Sequence, residues 1–196
     1  MDDIKSNVPA SSRNYINKLL EKHHFNFILK NNRSTKLGDF RHNRKTGTYT
    51  ISVNRNLNSY QFLITFLHEL AHLIVAKSKL RTAKAHGTEW KTAFHSLVQP
   101  LLTDIYFPQP LLSALSQHMK NPKASAGSDP KLWTALRAFD KNPYGKILDD
   151  LNDGEQFVFR NKEFIRIEKR RTRVLSKQLN SKRLYLIPAI AEIEVL

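Results

Sequence analysis

Residues 58–77 read NSYQFLITFLHELAHLIVAK, and this stretch decides the fold. Its apolar residues cover nearly all faces of a helix, and Glu69 is the only formally charged residue between Asn58 and Ala76. A helix that is apolar all round is buried in the centre of a domain. The segment Asn56-Leu57-Asn58-Ser59 supplies N-cap candidates for its start. We therefore predict a long, central helix that runs through Ala76.

The same helix carries an HExxH motif made by His68, Glu69 and His72. Residues four apart share a helix face, so both imidazoles can bind one ion. Burying two histidines and a carboxylate is costly unless they have partners, and a metal ion provides that compensation. Zinc suits two imidazoles and lowers the pKa of a bound water, whose proton Glu69 can accept as the catalytic base. The motif therefore predicts one zinc ion per chain.

A catalytic zinc needs a third protein ligand. We favour His86, which lies in the segment His86-Gly87-Thr88-Glu89-Trp90, fourteen residues after His72 and at the start of the next predicted helix. Glu89 and His95 on that helix remain alternatives, because zinc also accepts a carboxylate. The other histidines lack partners at ligand spacing and are predicted to be surface or turn residues; they are His23, His24, His42 and His118.

The composition excludes several classes of protein. With no cysteine, the chain has no disulfide, thiolate zinc site or cysteine nucleophile. The N-terminus lacks an apolar signal segment, and the longest apolar run, 62–76, is too short to span a membrane. We therefore expect a cytoplasmic protein with no membrane partner. Lys and Arg outnumber Asp and Glu by 32 to 17, and a net charge of +15 favours a polyanionic partner such as nucleic acid.

Periodicity along the rest of the chain predicts an α+β fold. Before the central helix we expect a helix after Pro9 and strands near 25–29, 33–41 and 48–53. Helices are predicted at 88–99, 108–119 and 132–139, with a linker at 121–128 and a helix end at 142–145. Short strands after Gly154 predict a small antiparallel β subdomain at the C-terminus. The predicted parts are a core at 1–120, a linker with an amphipathic helix at 121–153, and the β subdomain at 154–196.

The sequence resembles the SprT/Spartan family of zinc metallopeptidase domains over residues 10 to 105. The matching segments are 62–72 (FLITFLHELAH) and 86–90 (HGTEW), preceded by 33–40 (RSTKLGDF) and 50–53 (TISV). The resemblance implies a zincin-like (minigluzincin) core in which His68, His72 and His86 bind zinc and Glu69 is the general base. It also implies a role in DNA repair, since the eukaryotic relatives digest proteins crosslinked to DNA. Many relatives carry a cysteine zinc ribbon after this core, which the cysteine-free C-terminal strands here would replace without a metal.

The C-terminal strands are rich in basic residues with interleaved aromatics, namely Phe159, Phe164 and Tyr185. Such a surface can follow a nucleic-acid backbone and stack on unpaired bases. The alternative interpretation is that the aromatics form the sheet core while the cations protect its edges from aggregation. We predict binding of DNA, single-stranded or junction-like. The candidate DNA-binding residues are Arg170, Arg171, Arg173, Lys177, Lys182 and Arg183.

The sequence therefore predicts a zinc-dependent metalloendopeptidase that cleaves proteins bound or crosslinked to DNA. Two alternatives remain. One is a DNA-binding module with a structural zinc and no peptidase activity, and the other is a hydrolase of small amides or peptides. Glu69 distinguishes the first alternative, because a structural site has little use for a base.

Overall fold

The computed structural model describes residues 1–33, 36–78, 84–123, 129–140 and 145–196. The chain forms two compact units, Met1–Ala124 with Phe139–Lys141 and Ser125–Ala138 with Asn142–Leu196. Parts of the predicted second strand, linker and helix end, at 34–35, 124–128 and 141–144, lie outside the described residues, as do residues 79–83. The three-part division at residues 120 and 153 stays a prediction.

The first unit contains five α-helices and one mixed sheet among its described residues. They are α1 (Asp2–Asn7), α2 (Arg13–Lys22), β1 (Asn26–Lys30), β2 (Gly38–Asn43), β3 (Thr48–Asn54), α3 (Ser59–Lys77), α4 (Thr88–Val98) and α5 (Leu111–Met119). Short 3-10 turns at Ala10–Ser12 and Gln99–Leu101 precede α2 and follow α4. The sequence did not predict α1, whose six residues bury only Ile4.

The central helix α3 is confirmed and is buried along most of its length. Asn58 caps it, and its side chain accepts a hydrogen bond from the Gln61 backbone N–H. On the sheet side, the Phe27 ring meets the rings of Phe62 and Phe66, each with centroids 6.3 Å apart. This packing fixes the histidine-bearing turns of α3 relative to the sheet.

Strand β2 begins at Gly38, so the predicted start at residue 33 is wrong. Arg33 instead donates hydrogen bonds to Asn54 Oδ1 at 2.7 Å and Ser52 Oγ at 3.1 Å. These side-chain contacts hold Arg33 against β3.

Strand β2 is one edge of the sheet, whose order is β1-β3-β2. Strand β1 pairs with β3 in parallel, and β2 pairs with β3 antiparallel. The hydrogen bond from Asn54 N–H to Leu37 O fixes which residues of β2 bond to β3. Because hydrogen-bonded and non-hydrogen-bonded pairs alternate, Gly38, Phe40 and His42 direct their backbone N–H and C=O groups to the free edge.

The second unit contains α6 (Pro130–Arg137), a 3-10 turn at Leu148–Asp150 and a five-stranded antiparallel sheet. Its strands are β4 (Gln156–Phe159), β5 (Lys162–Arg170), β6 (Arg173–Gln178), β7 (Leu184–Pro188) and β8 (Glu194–Val195), in the order β7-β6-β5-β4-β8. The predicted C-terminal antiparallel sheet is confirmed, with β8 as an additional edge strand. Its core contains Leu148, Leu151, Phe157, Phe164, Val174, Ile187, Ala189 and Ile193.

None of the helices within the described residues combines the length and apolarity that crossing a membrane requires.

Candidate metal centre

His68 and His72 lie one turn apart on α3, as their spacing predicts. His86 joins them from the turn before α4, where it adopts a φ of 58°. This left-handed conformation is uncommon for a residue with a side chain, and such outliers cluster at functional sites. It brings His86 Nε2 to 3.1 Å from His68 Nε2 and 3.0 Å from His72 Nε2.

Three imidazole nitrogens therefore converge on one point, and one ligand atom from each histidine lies within 4.8 Å of the others. A neutral imidazole nitrogen either donates one hydrogen or offers one lone pair, so His86 Nε2 satisfies at most one of its two neighbours. Nitrogens about 2.0–2.1 Å from a tetrahedral zinc ion are separated by about 3.3–3.4 Å. The observed separations are close to that value, so these residues fit a metal ion bound by three histidines.

The protonation of the histidines favours the same conclusion. Burial, followed by the charges of His72, His86 and His118, lowers the pKa of His68 to about 3. Burial and the charge of His86 lower the pKa of His72 to about 4, and burial also lowers the pKa of His86. All three are neutral at pH 7, which is the form that binds a metal ion.

Trp90 on α4 packs beneath all three histidines and is 1% exposed. Its ring centroid lies 4.6 Å from that of His68, 5.6 Å from His72 and 4.7 Å from His86. Its indole N–H donates to the His68 carbonyl at 3.3 Å. Trp90 thus supports the whole cluster, a role that the sequence indicated only by placing Trp90 four residues after His86.

Glu69 lies beside the histidines against the free edge of β2. Its side chain is so close to Gly38 that a Cβ there would lie 2.6 Å from Glu69 Oε1 and 2.8 Å from its Cγ. Gly38, Asp39 and Phe40 line a cavity of about 290 Å³ together with the three histidines and Glu69. The carboxylate and the three nitrogens therefore face the same cleft.

The environment of Glu69 favours its protonated form. Burial, assisted by the charge of Asp39, raises the pKa of Glu69 to about 8. The cations Arg33 and Lys36 and the Phe40 backbone N–H, which hydrogen-bonds to Glu69, act in the opposite direction. Asp39 itself stays ionised, since hydrogen bonds from Lys36 and Arg41 outweigh its burial and lower its pKa. A carboxyl group that gains and loses a proton near neutral pH is suited to general-base chemistry.

The alternatives for the third ligand are not brought to the cluster. Glu89 and His95 are exposed on α4, and His86 is the residue that meets His68 and His72 within the described parts of the chain. The prediction that His118 is a surface or turn residue is wrong. It is 4% exposed on α5, and its charge contributes to the lowered pKa of His68.

No tyrosine lines this cleft among the described residues. Tyr60 on α3 packs instead against the rings of Phe107 and Phe139, with centroids 5.9 and 4.6 Å away. Tyr106 interacts with Tyr15. The cleft therefore presents three imidazoles, the Phe40 ring and two carboxyl groups, from Glu69 and Asp39.

The candidate DNA-binding residues lie in two groups rather than one. Arg170, Arg171 and Arg173 are at the β5–β6 turn, whereas Lys177, Lys182 and Arg183 are at the β6–β7 turn. Strand β6 separates the two turns by about 17 Å, at about 3.3 Å per residue. Arg170 pairs with Glu168 at 2.6 Å, and Arg173 donates to the Leu186 carbonyl at 3.4 Å. The other four form no ion pair within the described residues.

The aromatic side chains of this sheet do not form an exposed stacking surface. Phe164 belongs to the core and is 4% exposed, and Phe159 packs against that core. Tyr185 is 37% exposed and meets Phe164 edge-on, with ring centroids 5.6 Å apart. Of the two interpretations of these residues, the structure favours a sheet core.

The fold and the site define a domain whose central HExxH helix and following turn bring three histidines together as a candidate metal centre. Residues 8–106 match the SprT-like family, and the chain belongs to that family. The matched region contains α2, the three-stranded sheet, α3, α4 and all residues of the candidate centre. Neither a curated protein nor a solved structure gives a significant match to the chain.

Proposed function

We propose that this protein is a zinc-dependent metalloendopeptidase with a zincin-like core and one zinc ion per chain. His68, His72 and His86 hold the ion, and Glu69 is the catalytic base. The observation that carries the proposal is the convergence of three imidazole nitrogens in the cleft that also contains the buried Glu69 carboxyl group. A structural zinc site would not require that carboxyl group.

When bound, zinc supplies a Lewis acid that polarises the scissile carbonyl and lowers the pKa of a bound water to about 7. The pKa values of the three histidines are lowered, so these side chains are unprotonated at neutral pH and protons do not compete with metal binding. Glu69 accepts the proton of the attacking water on its carboxylate and passes it to the leaving amine.

The free edge of β2 is evidence that the substrate is a polypeptide. Gly38, Phe40 and His42 direct backbone groups that do not bond to β3 toward this edge, beside the cleft, where the Phe40 N–H hydrogen-bonds to Glu69. An extended peptide can add to such an edge as another strand. This geometry favours a protein segment over a small amide.

Cleavage assays with casein and with short peptides test the peptidase activity. We expect the zinc-loaded protein to cleave casein, a chelator to abolish cleavage, and added zinc to restore it. Glu69→Gln should retain zinc and be inactive. A zinc-loaded wild-type protein that cleaves neither substrate would refute the peptidase proposal and favour the DNA-binding module. Cleavage of short peptides alone would favour the small-substrate hydrolase.

We further propose that the substrates are proteins held on DNA. The net charge of +15 supports an interaction with a polyanion, and Arg171, Lys177, Lys182 and Arg183 are not neutralised by carboxylates among the described residues. A DNA strand following β6 would reach both groups of basic residues.

Fluorescence anisotropy with labelled single-stranded and junction DNA tests this part. Binding should weaken steeply as salt rises, and Arg171→Glu with Arg183→Glu should weaken it further. Lys162→Glu, which changes an exposed residue at the start of β5, is the control for each of these two single-residue charge reversals. Affinity that is independent of salt, or a Lys162 effect equal to that at Arg171 or Arg183, would refute the proposed interface.

A further inference from the structure

The β2–β3 hairpin carries a row of stacked rings that the proposed reaction does not use. His42 lies directly opposite Tyr49, and their ring centroids are 4.5 Å apart with an interplanar angle of 27°. Phe40, two residues along β2, stacks on Tyr49 at 6.2 Å and 17°. We call Phe40, Tyr49 and His42 the aromatic wall.

The aromatic wall begins at the candidate metal centre. The Phe40 ring lies 6.3 Å from the ring of His72 at an interplanar angle of 14°, and Phe40 lines the cleft. Phe40 and Tyr49 are half-buried, and His42 is exposed. The wall therefore continues from the metal ligands outward along the hairpin and leaves part of its surface to solvent.

The surroundings of Phe40 differ on its two sides. On one side lie the Glu69 carboxyl group and Gly38, which has no side chain and is packed tightly against Glu69. Away from it, Tyr49 and His42 extend the apolar surface, and the Lys77 ammonium lies 5.5 Å from the Tyr49 centroid. A side chain that enters beside Phe40 on this side meets rings and one cation, while the carboxylate of Asp39, the next residue along β2, is paired with Lys36 and Arg41.

A peptide strand on the free edge of β2 would place its side chains against this wall. Directly opposite residues of antiparallel strands have Cβ atoms about 4.5–5.5 Å apart on the same face. The substrate residue opposite Phe40 would thus contact the Phe40 ring. Pairing with an aromatic ring stabilises apolar and aromatic side chains, whereas a charged side chain would lose water without gaining a partner.

We propose that Phe40 determines specificity by selecting a large apolar or aromatic substrate residue at the position that pairs with it. This inference rests on the proposed peptidase function and adds its substrate preference. The neighbouring Lys77 ammonium disfavours a basic residue at the same position.

Peptide mixtures randomised at one position at a time test the proposal by mass spectrometry of the cleavage products. The wild type should prefer Leu, Phe or Tyr at one fixed position from the scissile bond, with kcat/KM roughly tenfold above that for Asp or Lys, as expected for burying one side chain. Phe40→Ala should remove the preference at that position alone, and Phe40→Leu should retain it for aliphatic residues. Tyr185→Ala, an exposed aromatic on the C-terminal sheet, is the matched control.

A binding measurement keeps the test independent of turnover. Glu69→Gln protein, alone and combined with Phe40→Ala, is titrated with labelled peptides carrying Phe or Asp at each position. The Glu69→Gln protein should bind the Phe peptide roughly tenfold tighter at one position, as for one buried side chain, and the double variant should not. Zinc content of each variant verifies that the centre is intact.

The possible outcomes separate the two proposals. Zinc-loaded wild type that cleaves nothing, while the peptide preference persists in binding, would refute the peptidase proposal and support the subsite. Cleavage and binding with no preference at any position, or an equal preference after Phe40→Ala, would overturn the specificity proposal and leave the peptidase intact.

Discussion

The Nε2 atoms of His72 and His86, fourteen residues apart in the chain, lie 3.0 Å from each other. His72 is fixed by the buried helix α3, whereas His86 reaches it from a turn with a φ of 58°. A left-handed histidine costs roughly 1–3 kcal/mol. A metal ion shared by the two rings would compensate for that cost.

The first prediction concerns metal content. The purified protein should contain about one zinc per chain by elemental analysis, as expected for a single three-histidine site. His72→Ala and His86→Ala should each lose it, because two imidazoles hold the ion too weakly. Glu89→Ala and His95→Ala, exposed on α4, are the matched controls and should retain zinc. Loss of zinc in either control would reopen the choice of third ligand.

The second prediction concerns the role of Glu69. Glu69→Gln preserves the shape of the side chain but removes its ability to accept a proton, so peptidase activity should fall by roughly 10²–10⁴-fold. Zinc content and the circular dichroism spectrum should be unchanged, since Glu69 is not a ligand. Near-normal cleavage by this variant would mean that another group acts as the base.

The third prediction concerns the close packing of Gly38 against Glu69. A methyl group at this position would approach Glu69 Oε1 to 2.6 Å and Thr65 Cγ2 to 2.7 Å. Gly38→Ala should therefore displace the Glu69 carboxylate and lower kcat by roughly 10-fold or more, with zinc still bound. In the same hairpin, Gly47 has a φ of 66° and no neighbour within 4 Å of an added Cβ; Gly47→Asn is thus the control and should stay active.

The fourth prediction is a pH dependence of the stability of zinc-free protein. Glu69 has a pKa of about 8 in the folded chain, above its ordinary value of 4.5. The raised pKa adds stability below pH 4.5, and that contribution is lost as pH rises toward 8. Relative to wild type, Glu69→Gln should therefore gain stability across this window, by on the order of a few kcal/mol.

Urea unfolding of the two chelator-treated proteins at several pH values measures this difference. It should grow between pH 4.5 and 8 and level off above. The histidines cancel in the comparison because both proteins contain them. A difference that is constant with pH would show that the pKa of Glu69 is not raised.

The fifth prediction concerns Trp90. Trp90→Leu removes the surface beneath the three histidines and should weaken zinc binding by roughly 10–100-fold, the usual effect of losing support for a ligand. Trp90→Phe should be affected less, because it keeps a ring but loses the hydrogen bond to the His68 carbonyl. Competition with a chromophoric chelator measures both affinities.

The fluorescence of Trp90 provides a separate readout. Cobalt added to the zinc-free protein should quench it, as the ring centroids of Trp90 and His86 are 4.7 Å apart. Trp133→Phe removes the other tryptophan and should leave the quenching intact. Equal zinc affinity in all Trp90 variants would reduce Trp90 to a packing residue.

The sequence by itself determined the elements whose signals are local. The apolar pattern of α3, the start of this helix within residues 56–59 and the four-residue spacing of His68 and His72 follow from helix periodicity and capping alone. The strands of the C-terminal sheet follow from alternation in the same way. The family resemblance, carried by four short segments of sequence, is confirmed by the match to residues 8–106.

Only the tertiary structure decided which third residue meets the two helix histidines. The sequence favoured His86 but left Glu89 and His95 as alternatives, because the path of a loop is set by packing against distant elements. For the same reason, the sequence did not predict the contact of Trp90 with the three histidine rings, the close approach of Gly38 to Glu69 or the burial of His118. Residues far apart in sequence create these relationships, so no local pattern of side chains encodes them.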